Sequence, residues 1–241
     1  MTQEQQSTKL PRVSVVIPAF NEEKNLIACL KALTSQTLPP YEIIVANNNS
    51  TDKTGSIALE HGAKALLVIK QGYVFALKSG MSSTNGDVVA VVDADTVVAS
   101  NWIEIISKVF SNTDVVGATG SIHIRDKRLL SKFNSAIYKY FLVVNFWFNT
   151  PHLVGFNFAV RKSSLDQIGG LDTRYEMGPD VELGLRLKKI GRVIFVDNMV
   201  VYPSMRRWAE NPIKTFIEYT RSYVWTIWLK KPASVKQKVI R

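Results

Sequence analysis

Four short apolar runs between residues 13 and 95, separated by three amphipathic stretches, restrict this chain to a sheet covered by helices. The runs are VSVVIPAF (13–20), YEIIVANNN (41–49), AKALLVIK (63–70) and DVVAVVDAD (87–95). None of them alternates polar with apolar residues, so each is expected to be buried on both faces, as strands of a parallel sheet are. Pro18 is expected to close the first. Of the intervening stretches, NEEKNLIACLKALTSQ (21–36) places Leu26, Ile27, Leu30 and Leu33 at helical spacing behind an acidic first turn. STDKTGSIALEHG (50–62) opens on hydroxyl and acidic caps and closes at Gly62, and YVFALKSGMSS (73–83) supplies the third helix. The expected architecture is a single α/β domain, a mainly parallel central sheet with helices on both faces. With 241 residues, 46% of them hydrophobic, the chain can fill such a core.

Ligands of parallel sheets bind where the strands end. Three polar clusters fall on that edge: Asn21-Glu22-Glu23, the run Asn47 to Asp52, and Asp93-Ala94-Asp95. Two carboxylates at the end of a buried strand repel each other and resist desolvation, so they call for a bound cation or a salt bridge. Mg²⁺ or Mn²⁺ suits them, since both take oxygen ligands and finish their shells with water and phosphate.

Several chemistries are excluded. No GxGxxG or GxxxxGK[ST] loop follows the first strand, and no GxSxG elbow is present. His61, His123 and His152 lie far apart and pair with no cysteine at a metal-ligand spacing, while Cys29 reads as a small buried hydrophobe. Charge is divided unevenly: residues 1–120 carry 9 Lys and Arg against 11 Asp and Glu, residues 121–241 carry 21 against 9. The second half therefore suits a partner bearing phosphate or an anionic membrane surface. No helix shows the basic stripe or stacking aromatics of a nucleic-acid reader, so no nucleic acid is expected.

The run IYKYFLVVNFWF (137–148) is too short to span a bilayer, which needs about 20 residues. In TFIEYTRSYVWTIWLKK (215–231), Phe216, Tyr219, Tyr223 and Ile227 form one helical stripe, expected to pack on the core, with a surface helix touching lipid as the competing reading. MTQEQQSTKLPR carries no apolar signal segment, so the expected compartment is the cytoplasm, with peripheral contact at the inner face of the membrane.

The segments VSVVIPAFNEE, EIIVANNNSTDKT, GDVVAVVDADT, GFNFAVRKSSLDQIGGLD and PDVELGLRLKKIG, in that order and spacing, resemble the family 2 glycosyltransferases of GT-A fold from residue 13 to about 208. The resemblance implies transfer of a sugar from a nucleotide diphosphate donor to a glycan or lipid-linked acceptor, with inversion and a divalent metal. It places Pro18, Ala19, Phe20, Glu22 and Asn47 around the nucleoside, Asp93 near the ribose, and Asp95 on the metal, with Asp93 and Ala94 beside it. Asp180, which on its own reads as a helix N-cap, falls at the catalytic base. Arg206 and Arg207 are expected on the diphosphate, and Gly155, Asn157 and Trp208 on the acceptor side.

The sequence departs from the family pattern at four places. Asn47 replaces the usual Asp after the second strand; Gly72 is followed by Tyr73 rather than a basic residue, leaving Lys70 and Lys78 as substitutes. Pro179 stands where Glu usually precedes Asp180, and Ser204 where a Gln would begin the synthase-type Arg-Trp motif, which speaks against processive synthesis. The expected division is a flexible segment (1–12), a nucleotide-sugar-binding half (13–120), an acceptor-binding half (121–210) and an amphipathic aromatic and basic helix with its tail (211–241). A sugar nucleotidyltransferase and an inactive nucleotide-sugar-binding protein are the alternatives.

Overall fold

A computed structural model of the chain describes residues 9–124, 139–204, 206, 212–229, 231 and 232. Its strands are β1 (Val13–Ala19), β2 (Glu42–Asn47), β3 (Lys64–Leu67), β4 (Val88–Val91), β5 (Val97–Val98), β6 (Val115–Ile122), β7 (Phe158–Arg161) and β8 (Arg192–Tyr202). They form one sheet in the order β3-β2-β1-β4-β7-β6-β8-β5. The four strands read from the sequence pair in parallel. Beyond them the sheet is mixed: β7 runs antiparallel to both β4 and β6, β5 antiparallel to β8, and β6 parallel to β8.

The strands are shorter than their apolar runs, and the difference builds the ligand edge. Pro18 does not end β1 but pairs with Ala46 inside it. The Val92 N–H donates to Val16 O on the β4 side, and Asn48 N–H to Ala19 O on the β2 side, so Pro18 faces β4 just where that pairing has stopped and its missing N–H interrupts nothing. β3 stops at Leu67 because the side chain of Asn48 takes over from the ladder, donating to Val68 O (3.0 Å) and Lys70 O (2.8 Å). β4 stops at Val91, which leaves Asp93 to Asp95 in the following turn, closed by the Thr96 N–H on Asp93 O.

Helices α1 (Leu26–Thr34), α2 (Thr54–Glu60) and α4 (Trp102–Phe110) pack on one face with Val13, Val15, Ile17, Val88 and Ala90. On the other face lie α3 (Tyr73–Ser82), α6 (Lys162–Gln167) and α7 (Pro179–Leu187) with Val16, Val89, Val91 and Phe158. Residues 139–147 form α5, and α8 is Pro212–Ile227. Residues 21–25 stay outside α1, with the Asn25 and Leu26 N–H groups both donating to Glu22 O, so Glu22 and Glu23 belong to the β1 loop and not to a first helical turn.

The aromatic stripe expected to bury α8 is corrected by the structure. Among the described side chains of α8 those buried are Thr215, Ser222 and Thr226, and the hydroxyls of the last two lie against Gly178 at the start of α7; the Phe216 side chain lies outside the described residues, Tyr219 is exposed and Tyr223 half-buried. Tyr223 stacks on His152 with centroids 5.6 Å apart and meets Phe141 of α5. Ile213, Ile217 and Val224 of α8 and Trp228 just after it, with Tyr140, Val144, Trp147 and Phe148 around α5, are left on the surface.

Asn157 is the polar centre of the second half. Fully buried, it accepts from Trp102 Nε1 (3.0 Å) and donates to Ser121 O (3.0 Å) and Met199 O (2.9 Å), joining α4, β6 and β8. Asn157→Leu strands one donor and two acceptors in the core, so a urea titration is expected to show a loss of about 3 kcal/mol or more.

Candidate active site

The polar ends of β1, β2 and β4 converge, and hydrogen bonds between loops hold them. The Asn21 N–H donates to Ser50 Oγ (3.0 Å), the Glu22 N–H to Thr54 Oγ1 (2.8 Å) and the Glu23 N–H to Asp52 Oδ2 (3.0 Å). Asn21 and Asn49 adopt positive φ, tolerated by asparagine, to make these turns. Burial alone would raise the Asp52 carboxyl, but bonds from Thr54 and from the Glu23 N–H hold it below the ordinary range. Pro18 and Ala19 form the buried floor, with Phe20 and Asn47 half-buried beside it; Asn47 Oδ1 accepts from the Ser50 N–H (3.0 Å).

Glu22 and Asp95 share a cation. Arg206 Nη2 lies 2.7 Å from Glu22 Oε1 and 2.9 Å from Asp95 Oδ2, and the Ser204 N–H reaches Asp95 O (3.2 Å). The β1 loop, the β4 turn and the segment after β8 are thereby joined through one positive charge. A divalent ion suits these donors: they are carboxylate oxygens, and a cation already bridges two of them. Among the described residues no three His, Cys, Asp or Glu side chains converge on a point. Asp93 and Asp95 would thus supply part of a Mg²⁺ or Mn²⁺ shell, and diphosphate oxygens and water the rest. Arg207 and Trp208 lie outside the described residues.

Asp180 stands on the second residue of α7, behind Gly178 and Pro179. Protein encloses its carboxyl while one edge stays open. Burial pushes it up to about 6, against the backbone N–H groups of Asp180, Val181 and Gly155, which favour the anion. The N-cap expectation is corrected: the cap position is Gly178, without a side-chain cap hydrogen bond, and Asp180 lies inside the first turn, where backbone N–H groups favour its anion and burial opposes it. Gly155 sits against it in the turn before β7, and an added Cβ there would lie 3.2 Å from Asp180 Oδ2.

The other sequence-derived residues divide. Gly72, at φ 132°, gives its N–H to Asn48 Oδ1 (2.7 Å) and holds the β3–α3 loop at the edge. Lys70 is exposed there, its ammonium 3.9 Å from the Phe75 ring centroid. Lys78 is not brought to this edge; it lines a separate surface groove of about 390 Å³ with residues 168–174 and Arg186. Asn157 is also corrected: both amide hydrogens are spent in the core and its oxygen accepts from Trp102, which leaves the side chain no contact to offer a ligand. Sequence reasoning missed Asn48, although strand periodicity points to it, since it continues the face of Ile44 and Ala46 toward α3.

The fold and the acidic positions at its strand ends define an α/β domain of the GT-A kind. The profile described as glycosyl transferase family 2 matches residues 14–169, and the chain belongs to that family. It is 31% identical over 223 residues to a probable glycosyltransferase, YdaM, of Bacillus subtilis, covering 85% of this chain and 52% of that protein. It is 26% identical over 231 residues, 88% of this chain and 71% of the other, to a dolichyl N-acetyl-alpha-D-glucosaminyl phosphate 3-beta-D-2,3-diacetamido-2,3-dideoxy-beta-D-glucuronosyltransferase of Methanococcus voltae. In three dimensions it is similar to the mannosyltransferase PcManGT of Pyrobaculum calidifontis, solved with GDP-Man and Mn²⁺. That match has a TM-score of 0.64 at 22% identity and covers 88% of this chain and 65% of that one.

Proposed function

We propose that the chain transfers a sugar, with inversion, from a nucleotide diphosphate donor to a hydroxyl of a glycan or lipid-linked acceptor, with Asp180 as general base. One observation carries this reading: a buried carboxylate with its pKa raised to about 6 stands apart from an acid pair that shares one arginine cation. Burial sets the Asp180 carboxyl apart from an ordinary surface carboxylate, and this supports its role as the base. Asp180 is largely ionised at neutral pH yet basic enough to take the acceptor proton. Glu22, Asp93 and Asp95 hold the donor end, and Arg206 forks onto phosphate oxygens. A divalent metal, when bound, supplies Lewis-acid stabilisation of the leaving diphosphate.

A thermal-shift panel of UDP-, GDP-, CDP- and dTDP-sugars with and without Mn²⁺ tests the donor site. The expected result is stabilisation by one nucleotide that needs Mn²⁺ and is absent in Asp95→Ala; a flat panel would count against a donor site for these four nucleotides.

A membrane contact is part of the proposal. Trp147 and Trp228 are 81% and 77% exposed on the aromatic face of α5 and α8, in the half of the chain that carries the positive charge. Tryptophan beside lysine suits the headgroup level of an anionic bilayer. No helix among the described residues is long and apolar enough to cross a membrane. Co-sedimentation with anionic phospholipid vesicles is expected to weaken about tenfold in the double variant Trp147→Ser/Trp228→Ser.

A further inference from the structure

We propose that Tyr73 is a positioning residue that couples the donor-side carboxylate of Asp93 to the acceptor-side carboxylate of Asp180 through the backbone of Gly155, a role that rests on Asp180 being the base. Tyr73 occupies the place after Gly72 where a basic residue would be expected, so this chain has put a neutral hydroxyl in place of a cation.

The geometry is a short relay. Tyr73 is the first residue of α3, and its ring packs against the core on the α7 side of the sheet. Its hydroxyl lies 3.3 Å from Asp93 Oδ1 and 3.2 Å from Gly155 O. Gly155 in turn lies against the Asp180 carboxylate, where a Cβ on it would fall 3.2 Å from Oδ2, and its backbone N–H favours the Asp180 anion. One phenol and one glycine therefore separate the two acids. The titratable groups around the hydroxyl are Asp93, Asp180 and, from α8, Tyr219.

A phenol has one hydrogen to donate, and here two acceptors compete for it. When the donor draws on Asp93, the hydrogen is released to Gly155 O, and the glycine is held where its N–H meets Asp180. The turn around Gly155 is anchored on both sides: the Val154 N–H donates to Thr119 Oγ1 (3.0 Å) and the Asn157 N–H to Val154 O (2.7 Å). Between these anchors the carbonyl of Gly155 is held by the Tyr73 hydroxyl. A side chain at 155 would intrude on the joint, its Cβ falling 3.2 Å from Asp180 Oδ2 and 3.6 Å from the Tyr73 oxygen. A tyrosine that merely filled core volume would influence neither end.

The test uses unliganded protein, so it does not depend on which sugar is transferred. Amide exchange at Gly155 and the midpoint of the Asp180 carboxyl are followed by NMR in the wild type, Tyr73→Phe and Gly155→Ala. Phenylalanine keeps the ring, so Tyr73→Phe is expected to fold with a Tm within a few degrees of the wild type. Its Gly155 amide should exchange at least tenfold faster. Its Asp180 midpoint should move up from about 6, because a loosened Gly155 N–H no longer favours the anion. Gly155→Ala probes the same joint from the other side and should displace the Asp180 midpoint even if Tyr73→Phe folds poorly. An unmoved midpoint together with unchanged Gly155 exchange in folded Tyr73→Phe, or an unmoved midpoint in Gly155→Ala, would overturn the relay. Failure of the base assignment shows differently, as sugar transfer that survives Asp180→Asn, and leaves these measurements untouched.

Discussion

Asp180→Asn is expected to cut sugar transfer about a thousandfold while making the protein more stable at neutral pH. The loss follows from the removal of a general base, whose contribution runs from about 10² to 10⁴. The gain follows from linkage. The carboxyl titrates at about 6 in the folded chain, above the ordinary 3.8 of an aspartate, so the folded state binds this proton more tightly than the unfolded state. Its favourable contribution is complete below about pH 4 and is lost as pH rises through 6. Above that, the carboxylate costs the fold about 2 kcal/mol, a figure reduced for its open edge. Asparagine has nearly the same shape and no charge, so the variant should melt several degrees higher at pH 8. At pH 4 the gain should vanish, since wild-type Asp180 is then neutral as well. Scanning calorimetry at the two pH values reads this. A variant that melts lower at pH 8 would mean that Asp180 is a structural cap whose hydrogen bonds outweigh its burial. The same titration sets the pH dependence of the wild type: kcat/KM should rise with pH about a midpoint near 6.

The sequence made the first half of this protein legible because its strands are apolar without interruption and each is followed by polar residues at the same edge. That pattern places Glu22, Asn47 and Asp95 together without any coordinates. It does not show where a strand ends. Pro18 continues β1 because its neighbour has already left, and Asn48 ends the β3 ladder with its own side chain; both outcomes depend on the adjacent strand. The second half was harder for a different reason. α8 buries Thr215, Ser222 and Thr226 and leaves Tyr219 exposed, the reverse of a core helix, because its hydroxyl face packs on Gly178 at the start of α7. Asn157 was placed on the acceptor side by the family resemblance, yet its amide is spent on Trp102, Ser121 and Met199, partners that only the fold brings to it. Arg206 was expected on the diphosphate, but its two carboxylate partners lie more than a hundred residues away and emerge only from the fold.

Those partners give Arg206 a second consequence, and its removal is expected to affect metal and nucleotide in opposite directions. In the free protein its guanidinium lies between Glu22 and Asp95, both less exposed than Arg206 itself. Arg206→Ala leaves the two carboxylates without that shared cation, and like charges so placed favour the arrival of another. Mn²⁺ alone should therefore bind about tenfold more tightly, a change of about 1.4 kcal/mol. Nucleotide should bind more weakly by a similar factor, because a bidentate phosphate ligand has been lost. Free Mn²⁺ counted by electron paramagnetic resonance reads the first effect, and the thermal shift given by UDP or GDP with saturating Mn²⁺ reads the second. Asp95→Asn is the contrasting variant: it removes a carboxylate and keeps the cation, so Mn²⁺ binding should fall and the metal-dependent nucleotide shift should disappear. If Arg206→Ala weakened Mn²⁺ and nucleotide alike, the arginine would be a scaffold for the loop after β8, and the competition between its charge and the metal would have to be abandoned. If the two effects separate as expected, the free state is one in which the chain supplies its own cation to the acid pair, and the donor enters by exchanging that cation for a metal while recruiting the same arginine to its phosphates.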